Sequence, residues 1–420
     1  MKLWVVATGE PWPTDAGKPR LQRGGIFARH CAAAGDDVVW WSGVFDHHAK
    51  ANRAEMDVEV ALEERLTLRG LHAPTVYRRN VSLARLINHA QLGGAFARAI
   101  ARAPQPDAIM VSMPLVEFAA EAVAYGRARG IPVVVDIRDM WPDVWVEAMP
   151  QTLRALAAVA TSPYAARLKG ALRGSAGVVA ITDPILDWGL KLAGMRRRAE
   201  DGVAPLAFAL PAITPAERAA AEAYWDAQGV SAHGFTACYF GGLTARTDPS
   251  IMIEAARAIP ETERHRVKLV ICGDGDQLAS LRAAAADLPH VLLPGWVDAP
   301  KILALQTRSK VGLIAYPNHM DFVLSVPNKV HEYWSAGLPV LSTLEGELAR
   351  VLRDEAAGLA ILRDPRAMAG ALLDLAGDRA RLAALAAGAR EAGRRRSPDL
   401  VYGGLRERLQ RLTQPPRAVA

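Results

Sequence analysis

The stretch DFVLSVPNKVHEYWSAGLPVLST, residues 321–343, reads as a loop, a short helix and a buried strand in one line. Ser325 is placed to cap a helix, and Pro327 stands where a first helical turn tolerates a missing N–H. Val330, Tyr333 and Trp334 recur at helical spacing. Gly337 ends the helix, Pro339 follows it, and Val340 and Leu341 open a strand. A helix start of this kind offers backbone N–H groups and the positive end of a dipole, which suits a diphosphate. Lys329 lies in the first turn, where a cation opposes the dipole unless it meets an anion. Glu332 follows one turn later, so both side chains can face the same side.

Within that stretch, PNKVHEYWSAGLPVLS resembles the donor-site helix of the retaining glycosyltransferases of family four, which have the GT-B fold. The resemblance implies that Glu332 holds the ribose hydroxyls of a nucleotide-sugar donor. It implies that Lys329 meets the diphosphate, and that Ser325, Val326, Pro327 and Asn328 line the donor at the helix start. The plain alternative is an ordinary capped helix with a surface Lys–Glu pair. There is one departure. The family often carries an earlier Glu seven residues before the second, and Leu324 stands there. The role of that Glu falls to backbone groups or to Asp321.

Length and composition bound the rest. A chain of 420 residues with 51% hydrophobic residues is expected to form two domains, each with its own core. No apolar run reaches the roughly 18 residues of a membrane span. The opening MKLWVVATGE reads as a strand rather than a signal peptide. Cys31, Cys238 and Cys272 are far apart and make no disulfide or metal pattern, which favours a reducing compartment. The formal charge of +6 is modest, but its distribution is uneven. Between Glu64 and Asp107 there is no acid, and seven arginines alternate with leucine, isoleucine and phenylalanine. Such an interval suits an anionic membrane surface or an anionic acceptor, or is a solvated helix face. Nucleic acid is disfavoured, because no binding motif or stacking platform accompanies the arginines.

In chain order, Lys2 to Thr8 predicts a strand, Ile26 to Ala34 a helix and Asp37 to Ser42 a second strand, the start of a parallel sheet. The turn between the first two lacks G-x-G-x-x-G, which disfavours a nicotinamide cofactor. Its Gly24 and Gly25 permit close backbone approach, and in the resembled family such a pair lines the cleft opposite the donor; the alternative is a plain turn at a helix start. The strand from Ile131 to Ile137 runs into RDMWPDVW. Asp136, Arg138 and Asp139 thus lie at a carboxyl edge, where polar residues face a ligand crevice; the plain alternative is a loop salt bridge with Trp141 as an anchor. Residues 202–215, with three prolines and no periodicity, mark a domain boundary. Beyond it, the strand Phe235 to Phe240 enters the turn GGLTARTDPS. The family usually has an Arg and a Lys here to grip the diphosphate. Gly242 and Thr247 occupy those places, so Arg246 takes the role, with Gly241 and Gly242 giving close approach. The strand Val267 to Cys272 ends in Gly273, Asp274 and Gly275, which resemble the family's GxGP turn beside the nucleotide. Trp296 and Val297, in GWVD, correspond to the loop that flanks the nucleobase, or are core residues. At the end of the chain Leu400, Val401, Leu405, Leu409 and Leu412 form one apolar stripe, and residues 414–420 are expected to fray.

The expected architecture is α/β and GT-B: two doubly wound Rossmann-like domains facing across a cleft. Residues 1–205 bind the acceptor, 206–391 bind the nucleotide sugar, and 392–420 form a helix returning to the first domain. The expected reaction moves a sugar, with retention, from a nucleotide diphosphate to a hydroxyl of a lipid-linked or saccharide acceptor. The setting is cell-envelope polysaccharide synthesis, lipopolysaccharide included. Lys329, Glu332, Arg246 and Asp139 carry the chemistry; no metal or cofactor is implied, the donor being a substrate. The expected location is cytoplasmic and peripheral at the inner face of the membrane. The rival readings are a sugar-nucleotide epimerase of the same fold and a non-catalytic sugar-nucleotide-binding protein.

Overall fold

Five-residue runs with hardly a polar side chain have no face to show to water, and they become the central strands. The computed structural model describes residues 1–16, 20–47, 49–79, 82–208 and 210–414. Parts of the turn before Gly24, of the acid-free interval and of the boundary stretch, and residues 415–420 of the tail expected to fray, lie outside the described residues. The chain divides into two units, Met1–Leu206 with Pro398–Ala420, and Ala207–Ser397.

In the first unit the strands are β1 (Lys2–Val6), β2 (Asp37–Gly43), β3 (Phe45–Asp46), β4 (Ala51–Asn52), β5 (Val58–Glu63), β6 (Leu66–Leu71), β7 (Ala108–Ser112), β8 (Val133–Ile137), β9 (Gly177–Ala180) and β10 (Gly202–Val203). One sheet has the order β10-β9-β8-β7-β1-β2-β6-β5, parallel except that β5 runs against β6. The short pair β3–β4 is antiparallel and separate. Every residue of β7 and β8 is buried, as strands covered by helices on both faces must be.

The acid-free interval is not one basic element. Its first part, after Arg65, is β6, which pairs with β5 as the edge hairpin of the sheet; Arg65 pairs with Asp37 and Arg69 with Glu59 of β5, both at 2.7 Å. The rest is the helix Leu83–Arg102, capped by Ser82, whose buried face includes Leu92, Phe96 and Ile100. The hairpin was not foreseen, because β5 alternates with half-buried residues and charge on its outer face.

The second unit contains β11 (Thr236–Phe240), β12 (Lys268–Cys272), β13 (Val291–Gly295), β14 (Val311–Ile314), β15 (Val340–Ser342) and β16 (Gly358–Ala360). All pair in parallel in the order β13-β12-β11-β14-β15-β16. Counted within the unit this is 3-2-1-4-5-6, the doubly wound order whose ligand crevice opens where the winding reverses. Here that point lies between β11 and β14.

The helix Pro398–Thr413 packs in the first unit against the helix Arg23–Ala33. Tyr402, Leu405 and Leu409 are its buried residues. Leu400, expected in that stripe, is 61% exposed; Tyr402 takes its place and meets Phe27 edge-on at 5.9 Å. Arg198 grips the buried Asp201 and the carbonyl of Ser175.

Candidate functional site

At the switch point, β11 ends in Phe240 and runs into Gly241, and β14 leads into Tyr316. The helix that follows β14 in the winding is Asn328–Ser335. Pro327 is its N-cap, and no side chain caps it. Ser325 does not serve as the cap: its hydroxyl donates to the carbonyl of Asp321 at 2.5 Å, a local bond of the kind that competes with capping. The helix is anchored by Tyr333, which is fully buried and whose ring lies against Gly312 of β14. Any Cβ there would stand 2.5 Å from the ring.

Lys329 reaches from the first turn across to the turn after β11. A Cβ on Gly241 would stand 2.0 Å from its Cε and 2.5 Å from its Nζ, so only glycine admits this path. Gly241 also has φ of +152°, which other residues rarely adopt. The ammonium lies 5.7 Å from the ring centroids of both Tyr239 and Tyr316. Burial pushes the Tyr316 phenol up to about 12 and that of Tyr239 higher, so two neutral π-faces flank the cation. The Tyr239 hydroxyl donates to the carbonyl of Gly242 at 3.1 Å and stiffens the turn. Lysine, two tyrosines and an uncapped helix start thus converge on the crevice. Neither tyrosine was singled out from the sequence. The signal was there in part, since Tyr239 lies in β11 two residues before Gly241 and Tyr316 lies two residues past the end of β14, but it needs the strand order to bring them together.

Glu332 is buried at 5% exposure rather than standing free in a cleft. Its charge lies near enough to Tyr316 and Tyr333 to help keep both phenols neutral, after burial. Arg246 is 47% exposed at its side chain and is engaged by Asp321 at 2.5 Å, over the ring of Phe322. The other carboxylate oxygen of Asp321, Oδ1, is buried without a hydrogen-bond partner, an acceptor suited to a ligand hydroxyl. Asp321 and Arg246 were considered for separate roles; the structure joins them.

Several expected contacts turn out to be internal. Gly273 and Gly275 are required by the turn Gly241–Leu243 packed on them: added Cβ atoms would stand 1.8 Å from Gly241 O and 2.2 Å from Leu243 O. Leu243 N–H donates to Asp274 O at 2.9 Å, and the Asp274 side chain accepts from Gly275 N–H. Val297 and Val326 are core residues of this unit. Trp296 is 74% exposed on the loop after β13, two strands from the switch point. Asn328 is exposed and Gly242 open.

In the first unit the expected cleft residues form a closed network. The Glu10 carboxylate accepts the N–H groups of Gly24 and Gly25 at 3.0 and 3.1 Å, filling the anion position at the start of the helix Arg23–Ala33. Arg138 pairs with Glu10 and donates to the carbonyl of Met113. Asp136 has no exposed surface, accepts both forks of Arg23 at 2.9 Å, and also accepts from Ser112. Gly24, Gly25 and Asp136 are therefore corrected from ligand contacts to structure, because their polar groups are already met. Arg23, Glu10 and Ser112 were not anticipated: each lies far from its partners in sequence. Asp139 remains half-buried at the carboxyl end of β8, its Oδ1 accepting from Met140 N–H at 2.8 Å.

Among the described residues no group of three or more His, Cys, Asp or Glu side chains is placed to hold a metal ion. Nor is any helix among them long and apolar enough to cross a membrane.

Residues 234–378, within the second unit, match the sequence family described as glycosyl transferases group 1. Among curated proteins there is no match. Of solved structures, a sucrose-phosphate synthase from Thermosynechococcus elongatus is 16% identical, aligned over 98% of each chain with a TM-score of 0.73. A trehalose-6-phosphate protein from E. coli, bound with UDP-2-fluoro glucose, is 13% identical over 99% of each chain, with a TM-score of 0.71. HepE of Anabaena in complex with UDP is 15% identical over 98% of this chain and 100% of its own, with a TM-score of 0.63. At these identities the likeness establishes the fold, which is GT-B: two α/β units with largely parallel sheets, residues 234–378 of the second being the stretch that matches the group 1 family.

Proposed function

We propose that this chain is a retaining glycosyltransferase of family four that moves a sugar from a nucleotide diphosphate to an acceptor hydroxyl. One observation carries the reading: Lys329, at the uncapped start of the helix Asn328–Ser335, is held over Gly241 between Tyr239 and Tyr316 at the switch point. A diphosphate placed there meets free helical N–H groups and a positioned cation. The solved neighbours crystallised with UDP or a UDP sugar support a donor of that class. In the reaction, the bond between the anomeric carbon and the diphosphate oxygen breaks. The acceptor oxygen bonds to the same face of that carbon, and its proton passes to the departing diphosphate. Lys329 and the helix start stabilise the growing charge, Glu332 orients the ribose, and Arg246 with Asp321 borders the donor. Asp139 borders the acceptor. Incubating the protein with a panel of nucleotide sugars and following anomeric signals by NMR tests this. Release of nucleoside diphosphate with an acceptor glycoside of the donor's configuration supports it. Inversion, or conversion of donor to another nucleotide sugar without acceptor, overturns it.

The acceptor we assign is lipid-linked or saccharide, in cell-envelope polysaccharide synthesis, with the protein cytoplasmic and peripheral at the membrane. Supporting this, the helix Arg154–Gly174 opens with Leu156 and Val159 at 68% and 71% exposure, next to exposed Leu153. No acid occurs from Ala148 to Thr182. Leu83 is likewise 71% exposed at the start of its helix. Apolar side chains among cations suit an anionic leaflet, each cation near it adding roughly 1 kcal/mol. Flotation with anionic liposomes is expected to fall as salt rises, since screening acts over about 10 Å at 0.1 M. Equal recovery with neutral liposomes, or none with either, would favour a soluble acceptor.

A further inference from the structure

The first unit contains a pocket at the carboxyl ends of β1 and β7, distinct from the network around Asp136. Tyr77, Arg85, His47 and His89 are among its lining residues. The Arg85 guanidinium lies over Tyr77 at 5.5 Å and over Trp141 at 4.4 Å. Lys50 brings a second cation to Tyr77, at 5.3 Å. Lys50 is also one of the few non-glycine residues with positive φ, +57°, its N–H held by Asp46 O at 2.9 Å. His47 Nδ1 is 2.9 Å from the Tyr77 hydroxyl. Two acids face the cluster: Asp139 acts on Arg85, and Asp46, which also bonds Arg53, acts on Lys50.

His89 adds an independent sign. It is 5% exposed, and its Nε2 accepts from Arg85 Nε at 3.3 Å. Burial, reinforced by Arg85 and His47, brings its pKa down to about 3, so the ring is neutral and its single proton is on Nδ1. That Nδ1 is buried with no hydrogen-bond partner. A buried donor without an acceptor is uncommon and implies that something supplies one. Burial also lowers the pKa of Lys50, and repulsion from Arg85 adds to it. An anion between the two cations would add to the attraction that Asp46 and Asp139 already supply.

We propose that this pocket binds an anionic group of the acceptor, a phosphoryl or carboxylate, between Lys50 and Arg85 with His89 Nδ1–H donating to it. The inference rests on reading the chain as a sugar transferase whose acceptor binds the first unit, and it narrows the acceptor to one that carries a negative charge. Phosphate chemistry has two natural sources, a soluble sugar phosphate and a prenyl phosphate headgroup.

The test is equilibrium binding to the full chain without donor, by titration calorimetry, using glucose 6-phosphate, glucuronate, farnesyl phosphate, glucose and farnesol. At least one anionic probe should bind tenfold or more tightly than its neutral counterpart, with inorganic phosphate competing. Glucose 6-phosphate and farnesyl phosphate identify which source is favoured. Arg85→Met keeps the aliphatic stem against Trp141, and Lys50→Gln alters a half-buried loop residue; each should weaken that probe at least tenfold. Equal affinity for charged and neutral probes, no saturable anion binding, or folded variants that bind like wild type would overturn the proposal and leave His89 to a water. Binding of UDP to the same samples is measured separately, so failure of the donor reading is distinguishable from failure of the anion pocket.

Discussion

At the scale of the residue, Lys329 separates charge stabilisation from affinity. The charge on a leaving diphosphate is greatest in the transition state, so a cation positioned for it acts mainly on turnover. Lys329→Met is expected to lower kcat by two orders of magnitude or more, with a smaller change in donor Kd. A variant with unchanged kcat and only weaker binding would remove the electrostatic role. Glu332 calls for a gentler change, because it is buried, and alanine would confound loss of function with a cavity. Glu332→Gln keeps the shape and removes the charge. The loss of a charged hydrogen bond costs about 1.5–3 kcal/mol of donor binding, with little shift in melting temperature. Full activity across donor concentrations in that variant would detach Glu332 from the donor. The placement of Lys329 and Glu332 on one short helix was legible because their spacing is a local property. Asp136 was legible as a polar group at a strand end, but not its role. Its partner Arg23 lies 113 residues away, and nothing in a single sequence reports a pairing at that distance.

At the scale of the element, the helix Asn328–Ser335 is positioned by a missing side chain. Gly312 leaves room for the Tyr333 ring on β14, and the hydroxyl of Tyr333 reaches the carbonyl of Cys238 on β11 at 3.2 Å. Gly312→Ala places a methyl group where the ring lies, and overpacking of this sort costs about 1–3 kcal/mol. The helix start must then shift relative to the Gly241 turn, so donor affinity is expected to fall together with unit stability. A Gly312→Ala protein that binds UDP as wild type does would show that the helix position is set elsewhere. The helix itself was readable from Gly337, Pro339 and the apolar spacing. Its start was misassigned by one feature, Ser325, whose hydroxyl prefers the nearer carbonyl of Asp321. The β-α alternation was likewise readable, because buried parallel strands are nearly pure apolar runs. The hairpin β5–β6 was not, since an edge strand with charged residues on its solvent face looks like any polar stretch.

At the scale of the molecule, the first unit is closed by the two ends of the chain. Asp36 has no exposed surface and accepts from the Met1 amine at 2.9 Å and from Arg406, at 2.5 and 3.0 Å, on a helix 370 residues further on. Burial alone would raise the Asp36 pKa. The hydrogen bonds from Arg406 and the amine, with their charges, more than reverse this and hold it below the ordinary carboxylate value. A depressed folded-state pKa stabilises the protein above the unfolded value of about 3.9, and that stabilisation is lost as pH falls through the folded value. Arg406→Gln removes one partner while the amine remains. The cost is therefore nearer the roughly 1.5–3 kcal/mol of a charged hydrogen bond than the larger figure for an orphaned buried ion. The variant should unfold at lower denaturant than wild type at pH 7, with the deficit assigned to the first unit by hydrogen exchange in β1 and in the helix Arg23–Ala33. Its sign with pH is fixed by the same argument. Once Asp36 is protonated in both proteins Arg406 has no anion to meet, so the gap between them should be constant from pH 8 to pH 5 and narrow below about pH 4. A gap that persists unchanged into acid would mean that Arg406 acts through packing of its stem and not through Asp36.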